Sequence, residues 1–359
     1  MFVDIFDAVV IYCISNKKQR VFYMFDFIPT EYFLLAFGFI LLIKGGDMFV
    51  DAASSIAKRF KLPELLIGAT VVSIGTTLPE VMTSAMGAVS GAGEIAYGNA
   101  IGSIICNTAL IAATTIAIKP GKADKKTLMF PVSFFFATAV FYVLVAYIGG
   151  SFERWSGIVL LVGFVFYMIM NVVNMKKNPA TLELDEVSEP DVQEGRDAAG
   201  LIKDVVVLII GAVLIALGAY LLVESATVIA EQLGVPESVI GLTVVAIGTS
   251  LPELVTAITS LIKGHGALSL GNIIGANIFN LVLVSGTAIA INPFPVPENS
   301  MLFGQNASFV LDLPVMLLVM GIMTVPTLIK GKLSRWQGIS LIAIYLAFML
   351  MQFVFVRAV

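Results

Sequence analysis

The chain carries the same pair of motifs twice. Gly-Thr-Thr-Leu-Pro-Glu at 75–80 returns as Gly-Thr-Ser-Leu-Pro-Glu at 248–253, and Gly-Asn-Ala-Ile-Gly-Ser-Ile-Ile-Cys-Asn at 98–107 returns as Gly-Asn-Ile-Ile-Gly-Ala-Asn-Ile-Phe-Asn at 271–280. A single offset of 173 residues aligns both pairs without a gap, and about half the positions of 68–107 match those of 241–280. Each copy sets a glutamate and an asparagine in strongly apolar sequence, where an ionisable group is expensive unless it has a role. Such a chain is built from two homologous halves, and its fold has to bring the duplicated polar residues together.

Composition says where those halves reside. Of 359 residues 58% are hydrophobic and only 13% charged, whereas a soluble domain carries about a quarter charged residues. The class is an all-α polytopic membrane protein. Two cysteines, Cys13 and Cys106, make no disulfide framework, and a lone His265 leaves histidine-based catalysis or zinc binding without material. Residues 1–29 read as an N-terminal extension outside the repeated unit. Their apolar run holds Asp4 and Asp7 and is followed by Lys17, Lys18 and Arg20, the reverse of a secretory signal.

Apolar runs long enough to span a membrane, about twenty residues each, fall at 31–57, 64–90, 95–118, 127–149, 154–174, 202–230, 236–262, 267–291, 308–329 and 335–356. The expected architecture is therefore ten transmembrane helices in two five-helix repeats, 30–174 and 202–359, joined by a linker at 175–201. Spans 5 and 10 open alike, Arg154-Trp155-Ser156-Gly157 against Arg335-Trp336-Gln337-Gly338, but at an offset of 181. The eight added residues belong in the Pro-rich loop Asn292–Ser300.

An odd number of spans per half forces the second repeat to insert inverted. The odd-numbered loops hold fifteen lysines and arginines and the opposite side five, with Lys44 inside span 1. By the positive-inside rule the odd loops are cytoplasmic and both termini extracytoplasmic, which fits a multi-pass protein of the cell membrane. The linker carries Glu183, Asp185, Glu186, Glu189, Asp191, Glu194 and Asp197. It lacks the alternating ligands and central glycine of an EF-hand loop and reads as a hydrated cytoplasmic connection.

Glu80 and Asn107 fall near the middle of spans 2 and 3, and Glu253 and Asn280 at the same depths in spans 7 and 8. Four oxygen-bearing side chains thus converge on the membrane midplane. Hard cations such as Ca²⁺ take carboxylate, amide and backbone oxygens, and two carboxylates neutralise one divalent ion. Pro79 and Pro252 precede the glutamates, and a mid-span proline frees backbone carbonyls that can face an ion. Thr76, Thr77, Ser103, Thr249 and Ser250 add hydroxyls at the same level, and Gly75, Gly102, Gly248 and Gly275 permit close helix approach. Taken singly, small residues beside a proline kink, or a buried asparagine, are ordinary packing devices. Recurrence of a midspan glutamate at a fixed offset in the same context is not. Cys106 reads as a small apolar residue. Asp47, Asp51 and Glu224, near the ends of spans 1 and 6, fit either an ion path or the membrane interface.

The paired G-T-[ST]-L-P-E and G-N-x-I-G-[SA]-x-I-x-N segments resemble the α-repeats of the Na⁺/Ca²⁺ exchangers, within the cation/Ca²⁺ antiporter superfamily, and the resemblance covers residues 30–357. It implies ten helices in inverted five-helix repeats with ions bound between helices 2, 3, 7 and 8. It also implies acidic ligands at Glu80 and Glu253, hydroxyl and carbonyl ligands at Thr76, Thr77, Ser103, Thr249 and Ser250, and an amide ligand at Asn107. Two positions depart from the prokaryotic pattern: Asn280 stands where many members carry aspartate, and Ala276 replaces a ligand serine. The divalent site survives both changes, while the number and order of Na⁺ sites are put in question. The motif differs from the G-N-A-x-E signature of dedicated Ca²⁺/H⁺ exchangers, which favours Na⁺ as counter-ion.

The expected activity is thus exchange of Na⁺ for Ca²⁺ by alternating access, with Ca²⁺ and Na⁺ as substrates, the lipid bilayer as surroundings, no cofactor and no nucleic acid. A monomer is expected to suffice. The alternative keeps the fold but moves H⁺ or another divalent ion, since protons compete for the oxygens of titratable glutamates. An intramembrane hydrolase is disfavoured, because symmetric Glu/Asn pairs are not a nucleophile and its base.

Overall fold

The structure, a computed structural model, describes residues 30–60, 62–177, 198–232, 248, 250–298 and 300–358. The N-terminal extension, the centre of the linker and the first part of span 7 lie outside these residues. Helices follow the apolar runs closely: α1 (Thr30–Arg59), α2 (Glu64–Val89), α3 (Gly93–Ile118), α4 (Lys125–Gly149), α5 (Arg154–Lys177), α6 (Ala198–Gln232), α7 (Leu251–Ile262), α8 (Gly266–Ile291), α9 (Ser308–Lys330) and α10 (Arg335–Leu350). Eight are long and apolar enough to cross a membrane; α7 and α10 are shorter. Most of the first part of the expected span 236–262 lies outside the described residues, and α10 continues into a π-helical turn at Met351–Phe355. The chain is a multi-pass membrane protein, with lipid-facing surfaces rich in exposed Phe, Ile, Leu and Val.

Leu42, Phe49, Val50, Ile215 and Ala219 form a cluster in which α1 and α6 lie against each other and against Ile67 and Val72 of α2 and Leu268 of α8, and a larger cluster gathers α3, α4, α5, α8, α9 and α10 with parts of α2 and α7. Within the α1–α6 pair, a Cβ added at Gly38 would stand 2.9 Å from the Gly218 carbonyl oxygen, and one at Gly45 would stand 3.0 Å from that of Gly211. The two helices are therefore antiparallel and in backbone contact, as small residues allow. The repeat offset of 173 itself relates Gly38 to Gly211 and Gly45 to Gly218. Each glycine thus meets the repeat partner of the other.

Contacts between connections sort into two sets. At one end, Ala123 N–H donates to the Gly331 carbonyl at 3.0 Å and Leu333 N–H to that of Gly121 at 2.8 Å, joining loops 3 and 9. Lys263 pairs with Asp51 at 2.7 Å and Arg59 with Asp204 at 3.2 Å, joining the ends of α7, α1 and α6. At the other end, β1 (Ser151–Phe152) pairs with β2 (Phe294–Pro295), linking loops 4 and 8. Nearby, β3 (Ser300–Leu302) holds β4 (Gln305–Asn306) and the C-terminal β5 (Val356–Ala358). Odd connections meet odd and even meet even. The left-handed glycines that end α4 and α9, Gly150 (φ 63°) and Gly331 (φ 66°), also stand 181 residues apart, so the offset has already changed by the end of α9.

Candidate functional site

On α2, Ser73, Thr76, Thr77, Glu80 and Ser84 recur at helical spacing and are all buried, a polar stripe inside an apolar helix. Glu253, Thr256 and Ser260 repeat the stripe on α7, with Ser250 just before it. The two stripes face each other. Thr77 Oγ1 donates to Glu253 Oε1 at 3.4 Å. Asn107 and Asn280 are fully buried on α3 and α8, and Ser103 is 5% exposed. Thr249, a predicted ligand, lies outside the described residues.

Each asparagine opens a π-helical turn, Asn107–Ala112 in α3 and Asn280–Val284 in α8. A π turn adds a residue to the helix and redirects its side chains and carbonyls, which is why such turns gather at functional sites. A further one, Gly68–Val72, sits in α2 one turn before Thr76. The prolines behave differently from each other. Pro79 lies within α2, whereas Pro252 occupies the first turn of α7, where its missing N–H removes no helical bond. The expected mid-span break in half two is thus, among the described residues, a helix start.

Of the four glycines predicted to permit close approach, three do so. Gly75 faces the Phe49 ring, a Cβ on Gly275 would stand 2.6 Å from Ala69 Cα, and Gly248 abuts Val223. Gly102 is the exception, since nothing among the described residues comes within 4 Å of an added Cβ. The partners that the repeat would set against it, 242 and 246, lie outside those residues.

The oxygens of the predicted residues are buried and largely unclaimed. Among the described residues, both Glu80 oxygens, Glu253 Oε2, Asn107 Oδ1, Asn280 Oδ1 and Ser250 Oγ have no hydrogen-bond partner. A buried polar atom left unpaired costs about 1–3 kcal/mol, and a charge more. Oxygens gathered this way at that cost mark a place for a cation, and hard cations take about six to eight of them. Among the described residues no three His, Cys, Asp or Glu come together, so carboxylate, amide and hydroxyl oxygens dominate, the donor set of Na⁺, Mg²⁺ and Ca²⁺ rather than zinc.

Two asparagines of the repeated motif were not singled out as candidates and prove central. Asn272 Oδ1 accepts from Thr76 Oγ1 and from Ser73 Oγ, both at 3.3 Å, and its carbonyl accepts from Ser73 Oγ at 2.9 Å, tying α8 to α2 across the halves. Its repeat partner Asn99 donates to the Glu80 carbonyl at 3.1 Å and to Ser84 Oγ at 2.8 Å, within its own half. The signal that would have found them is the 173 offset itself. Asp47 and Asp51 pair with Lys263 at the end of α7, whose own burial works against its charge but whose bonds to Asp51 and Asp47 hold the ammonium above its ordinary pKa. Glu224 is exposed. These three lie toward the helix ends, apart from the buried stripes.

Comparison with known proteins bears on this arrangement. The family model described as "Sodium/calcium exchanger protein" matches residues 30–173 and 203–354. The sodium/calcium exchanger MaX1 of Methanosarcina acetivorans is 32% identical over 356 residues, covering 91% of this chain and 99% of its own. An uncharacterized membrane protein of Methanocaldococcus jannaschii, MJ0091, is 34% identical over 322 residues, 88% of this chain and 95% of its own. A solved structure of the sodium-calcium exchanger NCX_Mj, soaked with 2.5 mM Na⁺ and 1 mM Sr²⁺, superposes with a TM-score of 0.73 at 31% identity, covering 90% of this chain and 98% of that one.

Proposed function

This chain belongs to the sodium/calcium exchanger family, and we propose that it exchanges Na⁺ for Ca²⁺ by alternating access around one site near the membrane midplane. It is a membrane antiporter of the cation/Ca²⁺ class and not an enzyme. The observation that carries the finer reading is the duplicated Glu/Asn pair, Glu80 with Asn107 and Glu253 with Asn280, fully buried with every side-chain oxygen but Glu253 Oε1 unpartnered among the described residues. In this reading the two carboxylates balance one Ca²⁺ and share its shell with Asn107, Asn280, Thr76, Thr77, Ser103, Thr249 and Ser250. The same oxygens, taken in smaller groups, hold Na⁺ on the return. Residues 30–174 and 202–359 are the two repeats, inverted with respect to each other. The antiparallel glycine contacts of α1 with α6 and the odd-with-odd pairing of connections support that inversion. The α1–α6 pair, whose two helices lie in backbone contact along paired glycines, is the part that slides past the site.

The direct test is ⁴⁵Ca²⁺ uptake into proteoliposomes under imposed Na⁺, K⁺ or H⁺ gradients. Uptake driven by an outward Na⁺ gradient is expected. Uptake driven by H⁺ alone reassigns the counter-ion, and no uptake under any gradient overturns the reading. Topology has its own check, in a background lacking Cys13 and Cys106. Single cysteines at Gly121 and Lys332 are expected to react only from the cytoplasmic side, and one at the exposed Glu298 only from outside. Labelling of Gly121 and Glu298 positions from one side contradicts inverted repeats.

A further inference from the structure

Beside the candidate ligands lies a second buried polar group, outside the predicted ligand set. Asn277 Nδ2 donates to Thr108 Oγ1 at 2.7 Å and to Met320 Sδ at 3.2 Å, and the Thr108 hydroxyl donates to the same sulfur at 3.3 Å. All three residues are fully buried. A thioether accepts but never donates, so the amide nitrogen, not its oxygen, has to face Met320, and the orientation of Asn277 is fixed. The bonds tie three helices, α3 by Thr108, α8 by Asn277 and α9 by Met320.

The position of this tie gives it a consequence. Thr108 directly follows Asn107 inside the α3 π turn, and Asn277 precedes Asn280, which opens the α8 π turn, by less than one helical turn. A bond between them joins the two amide-bearing turns across the halves. It is also made once rather than twice. At the 173 offset the counterparts of Asn277 and Thr108 are Ile104 and Leu281, and at the 181 offset that of Met320 is Ala139, all apolar and buried. The duplicated unit therefore does not require this tie; one side has it in addition.

We propose that Asn277, Thr108 and Met320 form a clamp that sets the distance between Asn107 and Asn280 and thereby the affinity of the site for its cation. They are positioning residues, since they act through the two amides. The inference rests on the cation site proposed above. A polar bond inside an apolar core holds its geometry tightly because breaking it strands both partners, whereas the apolar counterparts can slip. The clamp keeps one of the two symmetric crossings rigid.

The test is thermal unfolding of the purified full-length chain, titrated separately with CaCl₂ and NaCl, because a bound cation stabilises in proportion to the logarithm of its concentration over its Kd. Thr108→Val and Asn277→Leu are each expected to raise the CaCl₂ concentration needed for a given rise in melting temperature roughly five- to tenfold, the effect of one buried hydrogen bond. Thr108→Ser, which keeps the hydroxyl, restores the original value, and the double variant is no worse than the worse single one, as coupled partners require. Met320→Leu keeps the volume and loses the acceptor, and it reads the same clamp should Asn277→Leu fail to fold. Variants that melt earlier without cation yet respond at unchanged concentrations, or single effects that multiply in the double variant, overturn the clamp and leave the function untouched. A parent protein stabilised by neither cation overturns the function and the clamp together.

Discussion

Replacing either central glutamate by glutamine is expected to abolish Ca²⁺ transport while leaving a folded protein. Glu80→Gln and Glu253→Gln each keep an oxygen at the same place and nearly the same volume, and Thr77 can still donate to residue 253 as it does at 3.4 Å. What changes is charge. A divalent ion facing one carboxylate instead of two is left uncompensated in a low-dielectric site, and the new amide N–H groups point positive hydrogens toward it. Losing one partner from a buried charged set costs about 3–5 kcal/mol, or roughly a hundred- to several-thousandfold in apparent affinity. The cation-free protein gains instead, because Glu80 and Glu253 are both 0% exposed and removing one of two facing carboxylates lightens the burial cost. The two measurements therefore move in opposite directions: ⁴⁵Ca²⁺ uptake falls to background, while the melting temperature without cation stays or rises. Near-normal uptake in either variant would remove the shared-site reading.

Much of this was legible because the chain is written twice. A lone Pro-Glu in an apolar run is ambiguous, but two at one offset single out Glu80 and Glu253, and the structure sets the α2 stripe against α7 through the bond from Thr77 to Glu253. The helix ends were also within reach, since apolar runs and the shared Arg-Trp opening mark them. The offset change from 173 to 181 likewise placed the insertion after Asn280, and the equivalent left-handed Gly150 and Gly331 carry the larger offset.

What stayed hidden depends on contacts between helices. The π turns at Asn107 and Asn280 have no composition of their own, because a fifth-residue hydrogen bond is a response to packing rather than a propensity. The roles of Asn99 and Asn272 diverge for the same reason. Equivalent in sequence, Asn99 donates to the Glu80 carbonyl, whereas the Asn272 amide nitrogen makes no such bond among the described residues and its oxygens cross instead to Ser73 and Thr76. Repetition predicts symmetric positions but not which symmetric contact is made. Pro252 shows this too, sitting at a helix start where its twin Pro79 lies inside a helix.

The glycines of α8 give the sharpest structural expectation. An added Cβ at Gly271 would stand 2.8 Å from the Leu65 carbonyl carbon and closer still to its oxygen, and the three nearest atoms are all Leu65 backbone. No side chain can turn aside to make room, so α2 and α8 have to part. Asn272 is the next residue, and its bonds to Ser73 and Thr76 span the same contact. Gly271→Ala should therefore both destabilise the protein and distort the stripe that carries Glu80. Overpacking costs about 1–3 kcal/mol in general, and a purely backbone clash belongs at the upper end, against about 1 kcal/mol returned by the better helix propensity of alanine. A drop of about 5 °C in melting temperature, with ⁴⁵Ca²⁺ uptake lost, is the expected result. Gly321→Ala on α9 is the control, because nothing among the described residues lies within 4 Å of its added Cβ; it should melt at or slightly above the parent temperature and transport normally. If Gly271→Ala behaves like Gly321→Ala, the close crossing of α2 and α8 does not hold the site, and the alignment of Thr76 with Asn272 has to come from elsewhere in the bundle.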